Sequence, residues 1–291
     1  MRVTNNVLIN NLKRNLGNNL RSLDNYQNQL ASGKRINKPS DDPAGIVDSL
    51  RIRSKLSECK QFQSNASDAQ SWLENTDEAL GGLTEVLNRV YELTVYAASD
   101  TLEDNERKAI SEEVGQLMEE VGTIGNSTFG GRYIFGGSNT MHKPYESGSW
   151  TNANTDSIKY EISVGVTIPV NITAQDVFQE KDMMGTLKGI YDHMLSGDML
   201  SLSETDIENI QANIDQVISL RSQVGSRVNR LEMISQRLLD QELNLTKLQS
   251  TVEDIDVAKT ILELKNQESV YQASLSVGAQ IIRPTLVDFL N

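Results

Sequence analysis

Proline placement constrains this chain more than any other feature. A proline interrupts a helix interior because it lacks an amide proton and its ring clashes with the preceding turn. The 291 residues include only five, with none between Pro43 and Pro144 and none between Pro169 and Pro284. Two long proline-free stretches therefore flank a short middle segment.

Both stretches carry heptad periodicity, the signal for helices that pack lengthwise against one another. Ile210, Val217, Val224, Leu231, Leu238, Leu245 and Val252 follow at seven-residue steps without a miss. The companion column is mixed: Ile207, Ile214 and Val228 are apolar, while Arg221, Ser235, Glu242 and Gln249 are not. At 1.5 Å per residue, 207–252 makes a rod of roughly 70 Å. Upstream, Leu73, Leu80 and Leu87 interleave with Leu83, Val90 and Ala97, and the pattern resumes at Ile110, Val114, Leu117, Val121 and Ile124 after a polar break at 99–105. This arrangement predicts an antiparallel helical hairpin with the rod as its third member.

The two ends of the chain behave alike. Ile9, Leu16, Leu23 and Leu30 form an unbroken heptad with Leu12 and Leu20 beside it. At the other end Val257, Ile261, Leu264, Tyr271, Leu275 and Ile282 step by threes and fours, interrupted by Glu268 and Gly278, and Leu286 and Phe289 follow. Each stripe is wider than one partner helix covers. Hydrophobic residues make up only 38% of the chain, against ~45–50% in an ordinary globular domain. The expectation is that these residues form two assembly seams completed by neighbouring molecules.

Charge is consistent with pairing of the two ends. Residues 1–35 carry a net +5 and residues 251–291 a net −3. Most of the acidity lies in 61–130, with fourteen acids against three bases, and reads as a solvated face. The middle segment has strand periodicity instead. Ile158, Tyr160, Ile162 and Val164 alternate with polar residues, and Val166, Ile168, Val170 and Ile172 do so after Gly165, which predicts a β-hairpin. A lone hairpin is marginal, so it should rest on a further strand at Arg132–Phe135 or on the helices. Gly130, Gly131, Gly136 and Gly137 would then mark a hinge.

Several function classes are disfavoured. A net charge of −13 argues against nucleic acid, whose phosphates call for concentrated Lys and Arg. No run is apolar enough to insert in a membrane, and the expectation is export without a cleaved signal peptide. Cys59 is the one cysteine and His142 and His193 the two histidines, too few for a metal cluster or an intrachain disulfide. Phosphate loops, nucleophile elbows and metal-protease patterns are absent. No enzyme and no cofactor are expected.

The most informative local string runs from Leu30 to Gly45. Gly33 ends a helix, Pro39 sits in an extended crossing, and Ser or Asp capping with Pro43 in the first turn starts the next helix. Taken whole, with Arg35-Ile36-Asn37 and Asp41-Asp42-Pro43-Ala44-Gly45 inside it and Tyr271-Gln272-Ala273-Ser274-Leu275 near the other end, the sequence resembles the bacterial flagellin-like axial proteins. Within that family Met1-Arg2-Val3, Pro39-Ser40-Asp41-Asp42-Pro43, Arg132-Tyr133-Ile134-Phe135-Gly136-Gly137 and Pro284-Thr285-Leu286-Val287-Asp288-Phe289-Leu290 are similar to the hook–filament junction members.

The resemblance implies a mainly α fold: a long antiparallel helical bundle with coiled-coil-like paired N- and C-terminal helices and a small β-rich insert. It implies an inner assembly domain at 1–40 and 254–291, a helical rod at 41–138 and 181–253, and an outward-facing insert at 139–180. Gly33, Arg35, Ile36, Pro39, Asp41, Asp42, Pro43 and Gly45 would form the connector. The implied partners are copies of itself, a hook-associated protein on the hook side, flagellin on the filament side and an export chaperone, with the protein residing outside the cell in the flagellum. A flagellin proper and, more remotely, a cytoplasmic coiled-coil adaptor are the alternative readings.

Overall fold

In the computed structural model, residues 5–99, 102–146, 148–151 and 154–281 are described. The elements run α1 (Asn5–Ser32), α2 (Pro43–Ala97), α3 (Asp104–Gly125), β1 (Thr128–Phe129), β2 (Arg132–Tyr133), β3 (Tyr145–Glu146), β4 (Ser149–Trp150), β5 (Lys159–Ser163), β6 (Val166–Pro169), α4 (Met183–Ser196), α5 (Met199–Ser201), α6 (Ile207–Glu253) and α7 (Val257–Ile281). The fold is mainly α, with long helices and small antiparallel strand pairs, as expected. The chain divides into two compact units, one of residues 1–58 with 241–291 and one of residues 59–240. The divisions fall within α2 and α6.

In the 59–240 unit the heptads become the core. Leu73, Leu80, Leu83, Leu87, Val90 and Ala97 of α2 are buried, as are Ile110, Val114 and Val121 of α3. On α6, Ile210, Val217, Val224, Leu231 and Leu238 are all buried. Each buried Leu or Val contributes about 1.5–3 kcal/mol. In the companion column Ile214 is buried with the core, while Arg221 lies at its edge, where its Nε donates to Asp77 Oδ1 across to α2 at 3.1 Å.

Of the two supports expected for the β hairpin, a further strand or the helices, the structure has the helices. β5 and β6 pair antiparallel, with a bulge at Glu161–Ser163, but Arg132–Tyr133 pairs with β1 and adds no third strand. Gly130 and Gly131 both have positive φ (58° and 78°), which is what a two-residue hairpin turn requires, so this pair is the tip of its own hairpin. The β5–β6 hairpin rests on the helices instead. Ile162 and Ile168 are buried, Asn65 of α2 donates to the Glu161 carbonyl at 2.7 Å, and Arg227 of α6 donates to the Pro169 and Asn171 carbonyls at 3.4 Å each.

The β3–β4 hairpin is seated on α3 by aromatic rings. Trp150 stacks on Phe178 with centroids 4.2 Å apart and lies over Gly125, while Tyr145 lies over Gly122. At Gly125 an added Cβ would stand 2.6 Å from Trp150 Cη2.

Candidate functional site: the paired terminal helices

The 1–58/241–291 unit brings the two ends of the chain together. α1 and α7 lie side by side, and the groups that meet between them define one antiparallel alignment. An added Cβ on Gly278 would stand 2.7 Å from Leu12 Cδ2, so the leucine nests against the glycine. One heptad further along α1, Asn19 uses both ends of its amide. Its Nδ2 donates to Ser274 Oγ at 3.2 Å, and its Oδ1 accepts from Gln267 Nε2 at 3.2 Å. Ile9, Leu12, Leu16, Leu23 and Leu30 are half-buried on α1, as are Leu264 and Tyr271 on α7.

Other seam residues remain open to solvent. Leu20 on α1 and Val257, Ile261 and Leu275 on α7 are exposed, joined by Leu8, Leu262, Val270 and Val277. The pair thus covers one face of each helix and leaves apolar flanks uncovered. Ile282, Leu286 and Phe289 lie outside the described residues.

The connector holds α1 to the corner between α6 and α7. Gly33 adopts φ +71°, the left-handed conformation that ends a helix and suits glycine. The next residues then form a short backbone ladder. Arg35 N donates to the Glu253 carbonyl at 2.6 Å, and Ile255 N donates to the Gly33 carbonyl at 3.2 Å, with Lys34 opposite Asp254. Arg35 Nη2 donates to the Val252 carbonyl at 3.0 Å, supplying a cation to the end of α6, where the helix dipole favours one. Its Nη1 pairs with Asp42 at 3.1 Å.

The second half of the connector is organised by carboxylates. Asp41 Oδ2 accepts from the backbone of Asn37 and Lys38, closing the loop that contains Pro39. Asp42 Oδ1 accepts from Gly45 N at 2.9 Å, capping α2 with Pro43 as its first residue. That backbone bond and Arg35 hold the Asp42 carboxyl below its usual range. A side chain at Gly45 would collide with Asp42 and Ile36, and Ile36 is the buried plug of the loop.

The centre of this unit is Glu253, which in the sequence is simply one of several C-terminal acids. Its side chain is 1% exposed. Oε1 accepts from Arg53 Nε at 2.6 Å and Ser49 Oγ at 2.5 Å. Oε2 accepts from Arg53 Nη2 and Lys34 Nζ, both at 2.8 Å, and Gln249 Nε2 lies 3.3 Å from both oxygens. Arg53 foremost, with Lys34, Ser49 and Gln249, holds this carboxyl far below the usual range against the opposing effect of burial. Among the described residues, Lys34–Glu253 is the one ion pair between the basic N-terminal and acidic C-terminal segments.

Little in the sequence points to these groups. Gly278 registers there only as an interruption of an apolar column, Asn19 carries no signal of its own, and nothing in local pattern brings Lys34, Ser49 and Arg53 to Glu253. Among the described residues no cluster of His, Cys, Asp and Glu is placed to hold a metal ion. Cys59 is buried, with its thiol 3.4 Å from the Leu238 carbonyl.

Comparison with known proteins places this geometry. The family model described as the bacterial flagellin N-terminal helical region matches residues 3–140, and that of the bacterial flagellin C-terminal helical region matches residues 207–290. Flagellin of Bacillus subtilis (strain 168) is 28% identical over 96% of each chain. Flagellar hook-associated protein 3 of Escherichia coli (strain K12) is 25% identical over 86% of this chain and 87% of its own. Among solved structures, Bacillus cereus FlgL has a TM-score of 0.60 at 26% identity, covering 69% of this chain and 99% of its own. Xanthomonas campestris FlgL shares the fold with a TM-score of 0.62 at 15% identity, over 68% of this chain and 99% of its own. With both helical regions of the family present and joined at one corner, this chain belongs to the bacterial flagellin family and is a structural protein of the flagellum.

Proposed function

We propose that this chain is the junction adaptor between the hook-associated proteins and the flagellin filament, and that it is built into the flagellum through its terminal helices. The observation that carries the proposal is the uncovered apolar surface of the α1–α7 pair. Leu8, Leu20, Ile261, Val270, Leu275 and Val277 are between 41% and 53% exposed, on a pair of helices that has already used its inner faces. Apolar surface of that extent marks a protein-binding region.

In this reading residues 1–40 and 254–291 form the inner assembly domain, packed against neighbouring copies, with a hook-associated protein on one side and flagellin on the other. Residues 41–138 and 181–253 form the rod, and the 139–180 insert faces outward. An export chaperone covers the terminal stripes beforehand, and the chain leaves the cell without a cleaved signal. The Pro39–Pro43 and Arg132–Gly137 strings and the likeness to Bacillus cereus FlgL favour a junction protein.

A filament subunit is the second reading, favoured by the full-length likeness to Bacillus subtilis flagellin. Seeded assembly separates the two. Purified protein added to hook-associated seeds should stop after a short cap that then accepts flagellin. Growth of long filaments from this chain alone would overturn the junction role and leave a flagellin.

A further inference from the structure

The terminal helices must meet in a single register, and their apolar columns do not select one. Ile9, Leu16, Leu23 and Leu30 repeat every seven residues, and so do Val257, Leu264 and Tyr271, a column that breaks at Gly278. Sliding α1 along α7 by one heptad, about 10.5 Å of helix, sets the overlapping parts of these columns against each other again. Register has to come from groups that do not repeat.

The unit contains three such groups. Leu12 nests against Gly278, Asn19 bridges Gln267 and Ser274, and the Gly33–Arg35 ladder meets Glu253–Ile255. All three agree on one alignment, in which Tyr26 falls opposite Leu264. The first two are soft. The Leu12 methyls can rotate away, and two neutral hydrogen bonds contribute about 1 kcal/mol each. The ladder is short, but Lys34 within it is also an ion-pair partner of Glu253.

We propose that Glu253 is the register pin of the terminal helix pair: a positioning residue whose clamp on Lys34, Ser49 and Arg53 fixes where α1 ends along α7. This rests on the reading that the α1–α7 pair is the assembly element. Helix stability gives no reason for a carboxylate here, because Glu253 is the last residue of α6, where the dipole favours cations. A buried carboxylate also carries a desolvation cost that an apolar side chain of similar size would not. Its best-attested benefit is discrimination between alternative packings. In the slid register Lys34 is carried away from Glu253, the ladder cannot form, and Asn19 is drawn off Gln267.

Disulfide trapping in the full-length chain with Cys59→Ser tests the inference. Tyr26→Cys with Leu264→Cys reports the observed register, and Tyr26→Cys with Tyr271→Cys reports the register slid by one heptad, since a disulfide needs Cα atoms within about 7 Å. With Glu253 present, only the first pair should close on mild oxidation. Glu253→Gln should raise closure of the second pair about tenfold. Lys34→Gln, which leaves Glu253 bound by Arg53 and Ser49, should raise it less and serves if Glu253→Gln does not fold.

Three results would overturn the inference: no closure of the first pair in the parent chain, closure of the first pair alone in both variants, or loss of the first without gain of the second, which is plain destabilisation. The assembly reading is judged separately, by whether charge placed in the α1 seam blocks incorporation.

Discussion

At the scale of single residues, two buried carboxylates show how differently the same group can be used. Glu253 accepts from the connector, from α2 and from its own helix α6, and it ties them together. Asp206 has one main partner, His193, whose Nδ1 lies 2.7 Å from Oδ2 and joins the last turn of α4 to the start of α6. The hydrogen bond to Asp206, and the charges of Asp206, Asp198 and Asp192, raise the His193 pKa above its ordinary 6.5. A raised pKa means that the folded state holds the proton more tightly, so the stabilisation is complete below about 6.5 and is lost as pH rises through the folded value. With the His193 side chain 35% exposed, solvent screening limits the contribution to about 0.5–1 kcal/mol. The thermal midpoint should therefore decline as pH rises above about 6.5 in the parent chain, and this part of the decline should vanish in His193→Gln. Circular dichroism melts across that range check it, and parallel curves for the two proteins would show that the pair does not titrate in the folded state.

At the scale of elements, small residues decide how closely neighbours approach. The α3 glycines lie under aromatic rings that could not sit there over a side chain. Gly125→Ala places a methyl group against the Trp150 ring, which is itself stacked on Phe178, so the β3–β4 hairpin has to shift. The expected cost is about 1–3 kcal/mol, typical of overpacking, together with a change in Trp150 fluorescence. A chemical-denaturation curve matching the parent would refute this account. Gly278 plays the corresponding role between α1 and α7. Periodicity made both helices legible, along with the α2–α3 hairpin and the α6 rod, because burying one stripe of a long helix demands a repeat in sequence. It could not give the partner of the Arg132–Phe135 candidate, because a two-residue strand has no period to detect, and that partner was the adjacent Thr128–Phe129.

At the scale of the whole molecule, the two compact units answer to different requirements. The 59–240 unit buries its heptads within one chain, whereas the 1–58/241–291 unit leaves apolar flanks open. Leu16→Asp combined with Leu23→Asp should therefore leave the 59–240 unit folded and abolish incorporation into the flagellum, since charge would be forced into an apolar seam. Unchanged melting of the 59–240 unit with loss of the protein from isolated flagella is the expected result, and normal motility would remove the N-terminal helix from the assembly role. The sequence by itself determined the helical class, the long rod, the hairpin, the connector and the two apolar ends, because each of these is written as a local repeat or a turn of fixed residue types. Only the tertiary structure decided that Glu253 would gather Lys34, Ser49 and Arg53, and that Asn19 and Gly278 would align the ends. Those pairings join residues 200 or more positions apart, and no periodicity specifies which of two repeating helices meets the other at which turn.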